Sequence, residues 1–260
     1  MPHPDPLTAF RLDGRLVVVT GASEGLGRLF AETFAACGAR LVLVARRRDR
    51  LEAVQQAIAS AGGRAEVVVT DLCNLDDIRR MAAAVGRLAA ADEKLVLFNN
   101  AGLGFTKPAL DVTEADWDTL FDLHAKAAFF CAQQIGALML ARGYGKIINL
   151  ASTWAVATDM GKSTYGAAKA AVRQLTAALS TEWAAQGVRV NALAPTTTLT
   201  DFVRKNIAAQ PERFDRLKSR IKLGRFAEPN DMVGAALFLA SAASDFVTGQ
   251  TLFVDGGFTT

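Results

Sequence analysis

The chain has 260 residues, of which 51% are hydrophobic and 21% charged, a composition typical of a globular protein. This length suits one α/β domain, and we expect residues 1–260 to form it alone, because no linker, repeat or low-complexity tract divides them. The formal net charge of +3 is too small to predict nucleic-acid binding. No apolar run approaches the roughly 18 residues that a membrane span requires.

The N-terminus and the cysteines predict a cytoplasmic protein. Residues 1–11 lack the apolar run of a signal peptide. Cys37, Cys73 and Cys131 have neither a pairing pattern nor the spacing of a metal site. We therefore predict reduced thiols in the protein core, a reducing compartment and no bound metal.

Short apolar runs alternate with longer alanine-rich segments along the whole chain. Segments typical of helices include residues 52–60 and 167–185. Seven runs have the composition of parallel strands buried on both faces, and they lie at residues 16–19, 41–44, 67–69, 95–98, 147–150, 188–193 and 252–254. This alternation predicts the α/β class: a single-domain, Rossmann-type, doubly wound parallel sheet of about seven strands with helices on both faces.

Residues 200–222 interrupt the alternation and predict one or two short helices broken at Pro211. Ligands of open α/β sheets bind beyond the carboxyl ends of the strands, so this segment is a candidate substrate lid. The segment is rich in basic residues. As a lid it would attract an anionic substrate, but basic residues on a solvated helix face explain the same composition equally well. Its basic residues are Arg204, Lys205, Arg213, Arg216, Lys218, Arg220 and Lys222.

A glycine-rich turn follows the first predicted strand and leads directly into a helix-like segment. Glycines let the backbone approach a pyrophosphate, and a helix N-terminus supplies free N–H groups. An ordinary strand-to-helix turn is the alternative, but the position within the first βαβ unit favours a dinucleotide site. The predicted contacts are Gly21, Ser23, Glu24, Gly25, Leu26 and Gly27.

Several further motifs, in a fixed order, resemble those of the short-chain dehydrogenase/reductase family in its short, single-domain form. They are Asn99-Asn100-Ala101-Gly102, Ser152, Tyr165 with Lys169, and the segments 190–195, 248–250 and 254–257. The resemblance covers almost the whole chain. It implies an NAD(P)-dependent enzyme that interconverts a secondary alcohol and a ketone, with the sugar-acid and polyol dehydrogenases slightly favoured among its members.

The resemblance assigns catalysis to Ser152, Tyr165 and Lys169. Tyr165 and Lys169 are four residues apart, which places them on one face of a helix. We expect the Lys169 ammonium to lower the pKa of the Tyr165 phenol. Ser152 would hydrogen-bond the substrate oxygen while Tyr165 moves the proton. Without the other motifs, the Tyr–Lys pair would be interpreted as surface residues of an amphipathic helix.

Three residues depart from the family pattern. His124 takes the position of the Asn in the usual catalytic tetrad, where it would preserve a helix kink, hold a water or relay a proton, or would simply be a packing substitution. Thr196 replaces a glycine after the sixth strand and stiffens that turn. Glu24 occupies a place where NADP-preferring members often carry a basic residue.

The resemblance also implies cofactor contacts outside the glycine-rich turn. Asp71 and Leu72 would contact the adenine, although a plain helix N-cap is an equal alternative for Asp71. Arg46 follows the place where NAD-specific members carry an acid, so we expect NADP(H) to be preferred and NAD(H) to be possible. The remaining predicted contacts are Asn99, Ala101, Gly102, Tyr165, Lys169, Pro195, Thr196, Thr198 and Thr200.

The substrate is the feature that the sequence determines least. Phe105, Trp154, Val156 and Phe202 flank the catalytic and cofactor motifs and predict a pocket for an apolar or ring-like body. A 3-oxoacyl-carrier or thioester reductase is the main alternative to a sugar-acid or polyol enzyme. An enoyl reductase would space the Tyr and Lys more widely.

Two further alternatives lie outside catalysis: a non-catalytic dinucleotide-binding sensor and an assembly scaffold. A sensor would be expected to lose Tyr165 or Lys169, and this chain keeps both, while its intact motifs also argue against a scaffold. We expect a small-molecule alcohol or ketone as partner, and neither nucleic acid nor membrane. The resemblance further implies a homo-oligomer, most often a tetramer.

Overall fold

A computed structural model describes residues 6–260. The expectation about residues 1–11 falls partly on residues 1–5, which lie outside the described residues. Seven parallel strands form one sheet in the order β3-β2-β1-β4-β5-β6-β7, which confirms the predicted fold class. The strands are β1 Arg15–Thr20, β2 Arg40–Ala45, β3 Arg64–Val69, β4 Lys94–Asn99, β5 Gly145–Leu150, β6 Val188–Pro195 and β7 Thr251–Val254.

Nine α-helices lie within residues 6–260, and a π-helical turn at Asp122–Lys126 joins the fourth to the fifth. Pro211 begins α8, because its fixed φ suits a first helical turn, while its missing N–H ends the preceding helix. The helices are α1 Gly25–Ala36, α2 Arg48–Ser60, α3 Leu75–Leu88, α4 Glu114–Phe121, α5 Ala127–Leu140, α6 Ser163–Trp183, α7 Asp201–Ala209, α8 Pro211–Ser219 and α9 Val233–Ala240.

The central strands are buried on both faces, which explains their continuous apolar runs. In β1, Val17 and Val19 join the core under α1, α2 and α9, whereas Leu16 and Val18 join the core under α3 and α5. All four side chains are fully buried, and each such burial stabilises the fold by about 1.5–3 kcal/mol. The helices therefore cover both faces and leave the carboxyl edge of the sheet for the connecting loops.

Three buried polar side chains connect β4, β5 and α6. Asn99 Nδ2 donates to Asn149 Oδ1 at 2.9 Å and to the Ala128 carbonyl at 3.1 Å. Asn149 Nδ2 donates in turn to Thr176 Oγ1 at 2.9 Å, and the Thr176 hydroxyl donates to the Val172 carbonyl at 2.8 Å. These bonds fix α6, the helix that carries Tyr165 and Lys169, to the middle of the sheet.

The three cysteines, all predicted to lie in the core, differ: Cys73 lies outside it, and Cys37 packs against its edge while only partly buried. Cys131 is fully buried on α5, but Cys37 is half-buried and Cys73 is exposed, because both follow the ends of elements near the surface. All three thiols are free. None of the helices in residues 6–260 is both long and apolar enough to cross a membrane.

The polar connection between β5 and α6 predicts that the same substitution at two threonines of α6 changes the free energy of unfolding by different amounts. Thr176→Val removes the acceptor of the buried Asn149 amide, so we expect the free energy of unfolding to fall by about 1–3 kcal/mol. The matched control is Thr181→Val, whose exposed hydroxyl also donates to a carbonyl four residues earlier. It should change stability by less than about 0.5 kcal/mol. Equal effects in urea denaturation would contradict this role of the Asn149–Thr176 bond.

Candidate active site

The glycine-rich turn after β1 has the shape that a dinucleotide phosphate requires. Gly21 and Gly25 have φ angles of +67° and +57°, which favour glycine. Helix α1 begins at Gly25, and the preceding Glu24 makes no side-chain capping bond to its first N–H groups. A Cβ on Gly27 would collide with the Gly21 carbonyl oxygen, so only glycine permits this packing. The turn therefore fits a pyrophosphate at a helix N-terminus.

Asn100 holds this turn in place, a role that the sequence analysis did not assign to it. Its Nδ2 donates to the Thr20 carbonyl at 3.0 Å, and its N–H donates to Thr20 Oγ1 at 3.0 Å. The Ala101 N–H donates to the same hydroxyl at 3.1 Å. These bonds join the loops after β1 and β4. The signal that pointed to Asn100 was its place in the motif directly after a buried strand.

The arginines after β2 differ in their partners. Arg47 and Arg50 pair with Glu24 at 2.7 and 2.5 Å, and Arg47 also donates to Ser23 Oγ at 3.3 Å. Arg46 is exposed at the end of β2 and forms no ion pair within residues 6–260. The Glu24 carboxylate is thus neutralised by its neighbours, and Arg46 remains available to an external anion.

Asp71 is not the helix cap that the sequence allowed as an alternative. Asn74 caps α3 by accepting from two N–H groups of its first turn. Asp71 instead accepts from the Cys73 N–H at 3.0 Å, and its own N–H donates to Asp77 Oδ2 at 3.0 Å. Leu72 is buried beside it. The loop after β3 is therefore ordered by its own hydrogen bonds.

The four predicted catalytic side chains meet at the carboxyl edge of the sheet. Ser152 lies directly after β5, where its hydroxyl accepts from the Trp154 N–H at 3.2 Å and is near enough to Tyr165 to act on the pKa of its phenol. Lys169 Nζ donates to the Leu150 carbonyl at 2.6 Å and lies 5.9 Å from the Tyr165 ring centroid. The His124 ring packs edge-on against the Tyr165 ring, with centroids 5.4 Å apart. The fold thus brings together residues that are up to 45 positions apart in the chain.

Burial controls the ionisation of this cluster. It raises the pKa of Tyr165 to about 12, although the nearby Ser152 hydroxyl acts in the opposite direction. Burial also lowers the pKa of Lys169 to about 7. The net shift of the Tyr165 pKa is therefore upward, opposite to the lowering that the sequence predicts, because loss of solvation is its largest cause. The phenol is protonated near neutral pH and is able to donate.

His124 lies in the π-helical turn between α4 and α5, the place where the family resemblance implies a kink. Its Nε2 is 3.0 Å from the Leu103 carbonyl, whereas its buried Nδ1 has no hydrogen-bond partner among the described residues. Burial and the neighbouring Lys169 hold the pKa of the imidazole well below its ordinary value. A Cβ on Gly102 would lie 2.5 Å from the ring. His124 is thus a neutral side chain packed between the loop after β4 and Tyr165.

The turn after β6 uses its hydroxyls internally. The Thr198 hydroxyl donates to the Thr196 carbonyl at 3.0 Å, and Thr200 caps α7 by accepting from the Val203 N–H at 3.4 Å. Pro195 ends β6, and Thr196 beside it is buried. No residue other than glycine has a positive φ in the described part of the chain. Thr196 therefore replaces the family's glycine without backbone strain.

Helices α7 and α8 pack onto Tyr165, one of the predicted catalytic residues. Phe214 and Leu217 join a buried cluster with Trp154 that also contacts Tyr165. Phe202 lies against the loop after β4, since a Cβ on Gly104 would be 2.7 Å from its ring.

The four predicted substrate residues do not form one wall. Trp154 is 8% exposed and Phe105 is half-buried, whereas Val156 and Phe202 are 49% and 56% exposed. Of these four, Trp154 and Phe105 are the two that lie well inside the site.

This fold and site define a class of protein, the NAD(P)-dependent oxidoreductases of secondary alcohols and ketones. The family model described as Enoyl-(Acyl carrier protein) reductase matches residues 21–259. The chain belongs to the short-chain dehydrogenase/reductase family. The predictions of an enzyme and of a nicotinamide cofactor are thereby confirmed, and the sensor and scaffold alternatives are not favoured.

Two relatives and one solved structure are similar over nearly their whole length. Galactitol 2-dehydrogenase (L-tagatose-forming) of Cereibacter sphaeroides is 38% identical over 98% of this chain and 99% of the relative. Gluconate 5-dehydrogenase of Gluconobacter oxydans is 37% identical, with 100% and 99% covered. The crystal structure of a gluconate 5-dehydrogenase from Burkholderia cenocepacia, in complex with NADP and tartrate, has a TM-score of 0.92 and 35% identity, with 98% and 99% covered.

The depressed pKa of Lys169 predicts a pH-dependent contribution to stability. The folded protein releases this proton near pH 7 and the unfolded chain near 10.5. Between these values the unfolded chain binds more protons, so this contribution to the free energy of unfolding rises with pH. Lys169→Met removes the contribution.

We therefore expect the difference in Tm between Lys169→Met and the parent protein (variant minus parent) to be largest near pH 6 and to decrease toward pH 9.5. Thermal unfolding across this range measures the difference. Lys205→Met, at an exposed lysine of α7, provides the control and should show a constant difference. If the difference in Tm for Lys169→Met is also constant across this pH range, the idea that burial depresses the pKa of Lys169 is wrong.

Proposed function

We propose that this enzyme acts on a polyhydroxylated substrate, a sugar acid or a polyol, and uses Tyr165 as its proton donor and acceptor. The observation that carries this proposal is the protonated Tyr165 phenol, close to Ser152 and placed beside Lys169 under α8. The names of the relatives, galactitol 2-dehydrogenase and gluconate 5-dehydrogenase, support the substrate class.

Each side chain has a separate task in this proposal. Ser152 holds the substrate oxygen by a hydrogen bond, and Tyr165 gives a proton to that oxygen in reduction or takes it in oxidation. Lys169 holds the ribose hydroxyls of the cofactor beside Tyr165. The bound nicotinamide supplies the chemistry of hydride transfer at the substrate carbon. The oxidised ring also brings a positive charge that favours the phenolate.

His124 acts in this proposal as a positioning residue. Its neutral imidazole packs against the Tyr165 ring and occupies the π-helical turn, and its Nδ1 has no hydrogen-bond partner among the described residues. The packing against Tyr165 favours tuning of the catalytic group over a separate catalytic step.

Residues 200–222 serve as the lid of the substrate site in this proposal. The support is the contact of α7 and α8 with Trp154, Tyr165 and the loop after β4. Covering this edge excludes water from the reacting groups, which strengthens every electrostatic interaction there.

The cofactor contacts also belong to this proposal. The glycine-rich turn, Asp71 with Leu72, the segment from Asn99 to Gly102, and residues 195–200 line the carboxyl edge where a dinucleotide binds in such sheets. NADP(H) is the preferred form, because Arg46 is exposed and unpaired within the described chain while Glu24 is neutralised by Arg47 and Arg50.

A cytoplasmic homotetramer is the proposed working form. The family resemblance supports the tetramer, together with the stacked and partly exposed Trp117–Phe121 pair on α4 and the fully exposed Phe246 before β7. The three free thiols are consistent with a reducing compartment.

Replacement of the Tyr165 hydroxyl tests the proposed mechanism. Tyr165→Phe should lower kcat by at least about 10²–10⁴-fold, the usual contribution of a general acid–base, and should leave NADPH affinity nearly unchanged. Turnover is followed at the nicotinamide absorbance with alditols, aldonates and acetoacetyl thioesters. Tyr144→Phe, at the opposite edge of the sheet, is the control and should stay active. Retention of most of the parent rate by Tyr165→Phe would exclude this mechanism.

Replacement of Arg46 tests the cofactor preference. Arg46→Ala should weaken NADPH binding by about tenfold to a hundredfold, because a charge-assisted bond to the 2′-phosphate is lost, and should leave NADH binding almost unchanged. The neighbouring Arg48→Ala removes an exposed arginine paired with Glu52 and should affect neither. Fluorescence titration measures both affinities. A clear NADH preference in the parent protein would refute the assignment.

A further inference from the structure

A second lysine lies beside the catalytic tyrosine. Lys162 precedes α6, and its Nζ is 5.0 Å from the ring centroid of Tyr165 and 5.9 Å from that of Trp154. Nζ donates to the Phe105 carbonyl at 2.6 Å. An ammonium has three N–H groups, so two remain for other acceptors. Lys162 therefore places a cation between the loop after β4 and the reacting tyrosine.

Most basic residues of the candidate lid form a solvated face. Arg213 and Arg220 are the two that are half-buried: Arg213 Nη2 is 3.8 Å from Asp159 Oδ2, and the Arg220 guanidinium lies 4.3 Å from the Phe258 ring centroid. The other five are exposed, namely Arg204, Lys205, Arg216, Lys218 and Lys222. The basic character of the segment thus contributes two cations to the site.

Positive charge exceeds negative charge around Lys162. Lys162 and Arg213 share one carboxylate, that of Asp159, and Arg220 lies 5.9 Å from the Trp154 ring that Lys162 also approaches. Lys162 itself forms no ion pair among the described residues. Burial and the charge of Arg213 lower the pKa of Lys162 to about 8, so most of it carries its charge at pH 7. Asp159 offsets only part of this positive charge, and an external anion offsets the remainder.

We propose that Lys162 and Arg213 bind a carboxylate of the substrate, which makes this enzyme a sugar-acid dehydrogenase rather than a polyol dehydrogenase. This inference rests on the proposed function, whose reacting alcohol is held by Ser152 and Tyr165. The relatives include enzymes named for both kinds of substrate, and the charge at Lys162 distinguishes between them. Lys162 is then a specificity-determining residue that touches the substrate without taking part in proton transfer.

The position of Lys162 favours a compact acid. A carboxylate bound at Nζ lies within a few carbon atoms of the carbon that faces the Tyr165 hydroxyl, which is the separation found within one sugar acid. The phosphate of an acyl-carrier arm is separated from its thioester by two amide units, too far to reach Lys162 while the ketone faces Tyr165. The Trp154 and Tyr165 ring centroids both lie within 5.9 Å of this Nζ, and the rings provide apolar surfaces for the carbon chain of such an acid.

Binding to the protein saturated with NADPH tests this inference, because the reduced cofactor prevents oxidation of an alcohol. Calorimetry compares D-gluconate with its neutral counterpart, D-glucitol. We expect gluconate to bind the parent protein at least about tenfold more tightly, the lower range for a charge-assisted bond. Lys162→Met should bring the two affinities to within about twofold by weakening gluconate alone, and Lys162→Arg should keep part of the preference.

Lys205→Met removes an equal charge from the exposed face of the lid and should keep the full preference for gluconate. If Lys162 only fastens the loop after β4 through Phe105, Lys162→Met will weaken both ligands equally, and the proposal is overturned. Equal affinities in the parent protein overturn it as well. Turnover of the two ligands with NADP is measured separately, so a failure of the proposed dehydrogenase function is distinguishable from a failure of carboxylate recognition.

Discussion

The hydrogen bonds that Asn149 makes to Asn99 and Thr176 fix α6 to the centre of the sheet, and the active site depends on this attachment. Helix α6 carries Tyr165 and Lys169, whereas Ser152 follows β5 and His124 belongs to the turn before α5. Their separations are set by how α6 and α5 pack on β4 and β5. A parallel sheet buried on both faces leaves its carboxyl edge as the place where such side chains converge.

Loss of solvation is the second constraint on the site. The fold buries Tyr165, Lys169, His124 and Lys162 close together, and burial shifts the pKa of each toward its neutral form. A protonated phenol next to a lysine that titrates near pH 7 suits a group that must both give and accept a proton. The cost of burying these groups is offset by packing elsewhere, above all in the two cores of the sheet.

Helix α8 connects the proposed substrate site to this environment. Phe214 and Leu217 cover Trp154, and Arg213 from the same helix reaches Asp159 near Lys162. Helix α8 therefore supplies both a cationic side chain near Lys162 and the apolar side chains that cover Trp154. A substrate that neutralises Lys162 would also lie against the face of Tyr165, so recognition of its charge and alignment of its alcohol use the same contacts.

The sequence by itself determined the fold and most of the candidate site. The seven apolar runs predict the strands because both faces of β1, β2, β4 and β5 are buried, and this requirement is visible in a continuous run of apolar residues. The glycine-rich turn and the Tyr165–Lys169 spacing are equally local signals. Tertiary structure decided what depends on neighbours distant in the chain. Examples are the hydrogen bonds of Asn100 to Thr20, the upward shift of the Tyr165 pKa on burial, and the position of Lys162 near Arg213. Packing sets the solvation and the partners of a side chain, and no local pattern encodes them.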